Sequence, residues 1–220
     1  MFISNKNSIV TPQSEHARLS ATIAMLWGNS DFEKTTLPQD SFVRGVLFHD
    51  RGFGSHDNYS LGNLSKEERE LTLIDGILKA SNDPVADIVT LLHIKRLTKM
   101  YPPEQIKEIA DLCDKTLELK MKTSKFSKEE FTFADRITEL ADDIAFDFAF
   151  GDEDGGEASV LKKHDDKEFT QIKFTIQGIT ISMNPWPLSV DHYEGFIIGY
   201  EKEGYPQVLN SQLINFILKK

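Results

Sequence analysis

Residues 40–51, DSFVRGVLFHDR, decide the fold class. Phe42, Val43, Val46, Leu47 and Phe48 make a helix of this sequence apolar around most of its circumference, so it belongs inside a helical core. It ends in His49-Asp50, with Gly52 and Gly54 just beyond. A carboxylate in a last helical turn opposes the helix dipole at a cost of a few tenths to about 1 kcal/mol. Burying it without a partner costs several kcal/mol more. Arg51 is one available cation; a metal ion shared with His49 accounts for both residues together.

Working outward, the chain is punctuated by helix signals. Thr11-Pro12 opens a helix through QSEHARLSATIAMLW that stops at Gly28. Ser65 and Glu68 form a capping-box pair before a helix reaching about Ala80. Asn82-Asp83-Pro84 opens another, ended by Pro102 and Pro103, and a fifth covers roughly 104–120. Ser127 and Glu130 repeat the capping-box signal before a sixth, about 129–150. Beyond it GDEDGGEAS (151–159) begins an acidic, glycine-rich stretch that reads as a flexible loop. Ile172, Phe174 and Ile176, then Ile179, Ile181 and Met183, alternate with polar residues around Gln177-Gly178, a β-hairpin signal. A short final helix is expected over 211–219. The prediction is a mainly α protein: a helical domain over 1–150, an acidic loop over 151–167, and a small β-hairpin module with a final helix over 168–220, packed on the same domain.

Composition limits the function classes. The chain has 220 residues, 40% apolar and 27% charged, enough for one sizeable core. A net charge of −10 gives no electrostatic footprint for nucleic acid or an anionic membrane surface. A small phosphate-containing ligand stays compatible with that charge if a metal ion supplies local positive charge. The single cysteine, Cys113, sits in a helical pattern beside Ile109, Ala110 and Leu117, where a packed thiol is expected. One cysteine excludes an intramolecular disulfide framework and fits a reducing compartment. The polar Met1–Val10 stretch lacks the apolar run of a signal peptide, and no stretch of about 18 apolar residues is present; the cytoplasm is the expected location. There is no phosphate-binding G-x-x-x-x-G-K-S/T, no dinucleotide glycine fingerprint and no G-x-S-x-G.

The chemistry gathers on the helices. His16 shares a face with Leu19, Ser20, Ile23 and Trp27, so it points inward. The sixth helix offers Asp135 beside its apolar stripe and Asp142 on the same side two turns later, and spacing does not choose between them. His93, beside Val89 and Leu97, is at least half inward. His56-Asp57 follows the His49-Asp50 pair in a glycine-rich loop able to fold over it. His164 and His192 are expected on the surface, and Trp186 as an anchor packing the hairpin onto the helices. Arg18, Arg51 and Arg96 neighbour candidate ligands; each is expected to be solvated or paired with a carboxylate, the alternative being that one of them binds a substrate phosphate.

The order His, His-Asp, Asp, each element on its own helix, resembles the pattern of the HD-domain superfamily, here His16, His49-Asp50 and Asp135. The chain also resembles the bacterial family called domain of unknown function 3891. That resemblance runs over nearly the whole chain through QSEHARLSATIAMLWG (13–28), FHDRGFGSHD (48–57), LLHIKRL (91–97), DRIT (135–138) and NPWPL (184–188). Phe53 stands where that family usually has Trp, and Leu188 where it has Phe. The match of DRIT to the family's last acidic motif favours Asp135 over Asp142. What the resemblances imply is an HD-domain-like helical bundle with His16, His49, Asp50 and Asp135 on a divalent ion (Mn, Fe, Ni, Zn or Mg). Asp50 and His93 would carry catalysis, and His56 and His93 would be free for a second ion or substrate. The function implied is metal-dependent hydrolysis of a phosphate ester or nucleotide. The rival readings are a non-catalytic, metal- or ligand-binding regulatory module and an iron-dependent oxygenase.

Overall fold

The computed structural model describes residues 1–220, the side chain of Ser55 apart. Six α-helices are present: α1 Gln13–Leu26, α2 Gln39–Leu47, α3 Lys66–Leu78, α4 Pro84–Thr98, α5 Pro103–Thr123 and α6 Lys128–Phe150. Seven strands accompany them: β1 Phe2–Ile3, β2 Ile9–Thr11, β3 Gly156–Val160, β4 Thr170–Gln177, β5 Thr180–Asn184, β6 His192–Glu201 and β7 Ser211–Lys219. Three of the helices begin where a side chain satisfies free N–H groups, whereas α1 starts at Gln13 without the side-chain cap expected from Thr11, which ends β2 instead. Ser65 and Ser127 each close a full capping box with Glu68 and Glu130, and Asp83 caps α4 ahead of Pro84.

The expectation of a mainly α protein is overturned. The chain is 47% helix and 20% strand, with one seven-stranded mixed sheet in the order β1-β2-β6-β7-β5-β4-β3. Neighbours are antiparallel except β5 and β7, which run parallel. The predicted hairpin is there, β4 with β5 about a turn in which Gly178 takes a φ of 62°. It is part of something larger. Residues 211–219 form strand β7 rather than a final helix, and β3 lies inside the stretch expected to be a loop.

The physical reason lies in the apolar pattern. Ile214, Phe216 and Leu218 turn to the inner face of the sheet, a period of two that in so short a run overlaps a helical spacing. In β6 the inner face carries Gly195 and Gly199 between larger residues, so the alternation fades. Gly195 pairs with Phe216 across the ladder, and a Cβ there would stand 2.4 Å from the Phe216 ring. The glycine makes room for the aromatic ring.

The sheet's inner face, with Ile172, Phe174, Ile176, Ile181, Ile197, Phe216 and Leu218, joins the helical residues in one core cluster. Helix α6 packs on β3 and α1 on β6, while α1 also contacts α2 and α6, and α4 contacts α2, α5 and α6. The NPWPL segment ties the sheet to the end of α1: Gly28 N–H donates to Pro187 O, Ser189 N–H to Leu26 O, and Asn29 Nδ2 to Trp186 O. Trp186 is buried, as its proposed anchoring role requires. Among the described residues no helix is long and apolar enough to cross a membrane.

Candidate metal centre

Helix α1 presents His16 on its buried face with Leu19, Ser20 and Ile23. Helix α2 ends at Leu47, earlier than its apolar pattern suggests, and His49 and Asp50 stand in the turns that follow. Their position is fixed by close packing, since Gly52 lies against the backbone of α3. A Cβ on Gly52 would fall 1.9 Å from Thr72 O. Arg51 reinforces the contact by donating from Nε to Gly76 O at 3.0 Å and from Nη1 to the buried carboxylate of Asp87 at 2.6 Å.

These elements bring His16, His49, Asp50, His93 and Asp142 together. His16 Nε2 lies 2.9 Å from Asp142 Oδ1, and His49 Nε2 lies 3.2 Å from the same oxygen. Asp50 Oδ2 is 3.4 Å from both His16 Nδ1 and His49 Nε2. His93 Nε2 is 3.3 Å from Asp50 Oδ1 and its Nδ1 3.2 Å from Asp142 Oδ2. All three imidazoles are buried, and both carboxylates nearly so.

Close as they are, these pairs are poorly aligned as hydrogen bonds. The ring nitrogens His16 Nδ1 and Nε2, His49 Nε2 and His93 Nε2 are buried without a hydrogen-bond partner among the described residues, because the carboxylate oxygens sit off the N–H directions. The nitrogens that are bonded set the tautomers. His49 Nδ1 donates to Val46 O at 2.6 Å, which leaves the Nε2 lone pair facing the cluster. His93 Nδ1 receives a donor from Arg96 Nη2 at 3.2 Å. A guanidinium only donates, so neutral His93 carries its proton on Nε2.

The electrostatics are those of a tightly coupled cluster. Burial pulls His49 down, but the charges of Asp50 and Asp142 outweigh it and lift the imidazole well above its ordinary range; burial also pulls His16 down, and the close approach of its ring nitrogens to Asp142 and Asp50 outweighs that and raises it. Burial pushes Asp50 and Asp142 up, yet the facing histidines hold both well below the usual carboxylate range. Asp143 beside them is pushed up to about 7 by burial and the charges of Asp142 and Glu139.

Asp135 is outside this cluster. Its carboxylate is ion-paired to Arg96, the residue that orients His93, so it touches the site one contact removed. Asp142 takes the place expected for it. The two residues are two turns apart on α6, nearly eclipsed around the axis but about 10 Å apart along it, so only one can reach the cluster. His56 lies in the short 3-10 turn Gly54–Asn58 and is not part of the cluster. Arg18 pairs with Glu15, His164 with Glu33, and His192 with Glu194. Cys113 is buried in the core with its thiol pushed up to about 12 by burial.

Two groups of three can each present ligand atoms within 4.8 Å of one another: His16, His49 and Asp142, and His49, Asp50 and His93. Ligands held at about 2.1 Å from an ion stand about 3.0 Å apart in octahedral and about 3.4 Å in tetrahedral geometry. The nitrogen–oxygen separations in the cluster run from 2.9 to 3.4 Å. The donor set fits a divalent ion. The cluster opens on a cavity of about 330 Å³ with largely apolar walls, and His16, Asp50, His93 and Asp142 all line it.

The fold and this site together define an α+β protein with a buried histidine–carboxylate centre. Residues 3–199 match the family described as "Protein of unknown function (DUF3891)", and the chain belongs to that family. Comparison with curated proteins and with solved structures finds no match.

Proposed function

We propose that His16, His49, Asp50 and Asp142 hold a divalent metal ion and that the protein hydrolyses a small phosphate ester beside it. The observation carrying this reading is the set of buried imidazole nitrogens that converge on two carboxylates without aligning on them as hydrogen-bond donors. Buried polar atoms ordinarily find partners, and imidazolium–carboxylate pairs free to optimise would align their N–H groups on the oxygens. Nitrogens turned aside at ligand spacing are better accounted for by an ion between them. When bound, such an ion supplies Lewis acidity, polarising a phosphoryl oxygen and acidifying a water.

The chain's own residues complete the arrangement. Val46 O keeps His49 in its ligating tautomer. Asp135 holds Arg96, and Arg96 holds His93 with its proton on Nε2 at the cavity. His93 thus serves as a hydrogen-bond donor, able to hold a phosphoryl oxygen through its Nε2–H. Asp50 stands between His49 and His93, its oxygens 3.4 and 3.3 Å from their Nε2 atoms.

The test combines elemental analysis of untagged protein with hydrolysis of p-nitrophenyl phosphate in added Mn. About one equivalent of a transition metal per chain is expected, with turnover abolished in His49→Ala. Less than about a tenth of an equivalent, with no uptake of Mn, Fe, Ni or Zn, would refute the metal centre. Metal retained without turnover would leave a metal-binding module and remove the hydrolase.

A further inference from the structure

Six arginines occur in the chain, and five of them meet a carboxylate: Arg18, Arg44, Arg51, Arg96 and Arg136. Arg69, on α3, meets none among the described residues. Its side chain is half-buried, its Nε is buried without a hydrogen-bond partner, and it lines the same cavity as His16, Asp50, His93 and Asp142. In an acidic protein a guanidinium that lines a cavity yet pairs with neither of the carboxylates there calls for an anion supplied from outside. A second unsatisfied polar atom, Gln13 Oε1, is buried on the same cavity, and Gln13 itself is 3% exposed. The remaining walls are mostly apolar, among them Phe2, Phe53, Leu97, Met100, Tyr101 and Phe146. At about 330 Å³ the cavity is at the small end of ligand pockets.

We propose that Arg69 binds the anionic group of the substrate, and that the substrate is a small organic anion whose body is apolar. A phosphate or carboxylate presents two oxygens to the fork of a guanidinium, which satisfies Nε and a terminal nitrogen together. The apolar walls take the rest of the molecule. This rests on the metal-centre reading for where the reacting bond lies, but the binding of the anion stands apart from it.

The probes are phenylphosphonate, a non-hydrolysable anion, and benzyl alcohol, a neutral molecule of similar ring size, titrated calorimetrically into the full chain with and without Mn. Arg69→Met keeps the aliphatic stem and removes the charge, Arg69→Lys keeps the charge and loses the fork, and thermal melts establish that both are folded. Phenylphosphonate affinity is expected to fall at least about tenfold in Arg69→Met and less in Arg69→Lys, with benzyl alcohol unchanged. The same loss is expected when Arg69→Met is placed in the His49→Ala background, so the result holds even if no metal is bound. Unchanged phenylphosphonate affinity in Arg69→Met overturns the proposal, as does a wild-type protein that binds no phenylphosphonate. Binding that disappears with the metal but ignores Arg69 would also overturn it while leaving the metal centre in place.

Discussion

Replacing Asp142 by Asn separates the two carboxylates of α6 by experiment. The substitution preserves side-chain shape and removes one charge at the point where His16 Nε2, His49 Nε2 and His93 Nδ1 lie 2.9, 3.2 and 3.2 Å from its oxygens. Asp135 is connected to the cluster only through Arg96 and His93. Removing a partner that merely orients a metal ligand weakens binding by roughly 10–100-fold. Removing an anionic ligand has to exceed that, because an amide offers a weaker oxygen and no charge to balance the ion. The expected loss for Asp142→Asn is therefore at least about 100-fold, or about 2.7 kcal/mol at 1.36 kcal/mol per decade. For Asp135→Asn it is under about tenfold, since His93 is placed as a donor rather than a ligand. Competition for Mn or Zn against a chromophoric chelator measures both, with thermal melts to show that each variant is folded. Equal losses, or a larger loss at Asp135, would refute the placement of the centre at Asp142.

Two further outcomes test the surroundings of the site. Asp87 is 1% exposed and gathers Arg51, Lys120 and the Ser81 N–H, so Asp87→Ala strands the half-buried Arg51 and should cost roughly 3–5 kcal/mol in denaturant unfolding. Although burial pushes the Asp87 carboxyl up, those partners hold it below its ordinary value, so its contribution is present above about pH 4 and is lost as pH falls through the lower folded value. Wild type should accordingly lose more stability than Asp87→Asn on going below pH 4, and parallel pH profiles would count against the ion pair. Cys113, with its thiol pushed up to about 12, is about one part in 10⁴ thiolate at pH 8 and is buried. It should resist iodoacetamide in the native state and react on unfolding; rapid native labelling would contradict its packing in the core.

How legible the structure was in the sequence depended on how local each determinant is. Capping boxes at Ser65 and Ser127 are complete within four residues, and the helices they open are where the pattern put them. His16 and the His49-Asp50 pair were legible because inward-facing polar residues on apolar helices stand out. Strand β7 was obscured because a run from Leu213 to Leu218 satisfies both periodicities, and only its pairing with β6 decides between them. Strand β6 was obscured by the small residues that make space for Phe216 and for Ile9 and Ile214. The choice of Asp142 over Asp135 depends on depth along α6, which tertiary packing sets and helical periodicity does not contain. Arg69 left no signal at all: within EEREL it looks like a charge among charges, and what distinguishes it is the partner it lacks.

The pairing of β2 with β6, Ile9 opposite Glu201, has a consequence for how the chain is assembled as it is made. β2 leaves the ribosome before any of the six helices, yet its partner strand follows all of them. Until β6 arrives, Ile9 and Val10, both buried in the finished protein, have only the short β1 beside them. The helices can form from local signals as they emerge, but closing the sheet must wait until β6 and β7 have been made, the kind of non-local contact that slows folding. During that interval an apolar strand with an unpaired edge is exposed to other chains. Yield in a cell should therefore depend on how quickly the last residues of β6 and β7 are translated, and on chaperones that shield β2 meanwhile, more than on the intrinsic strength of the helices.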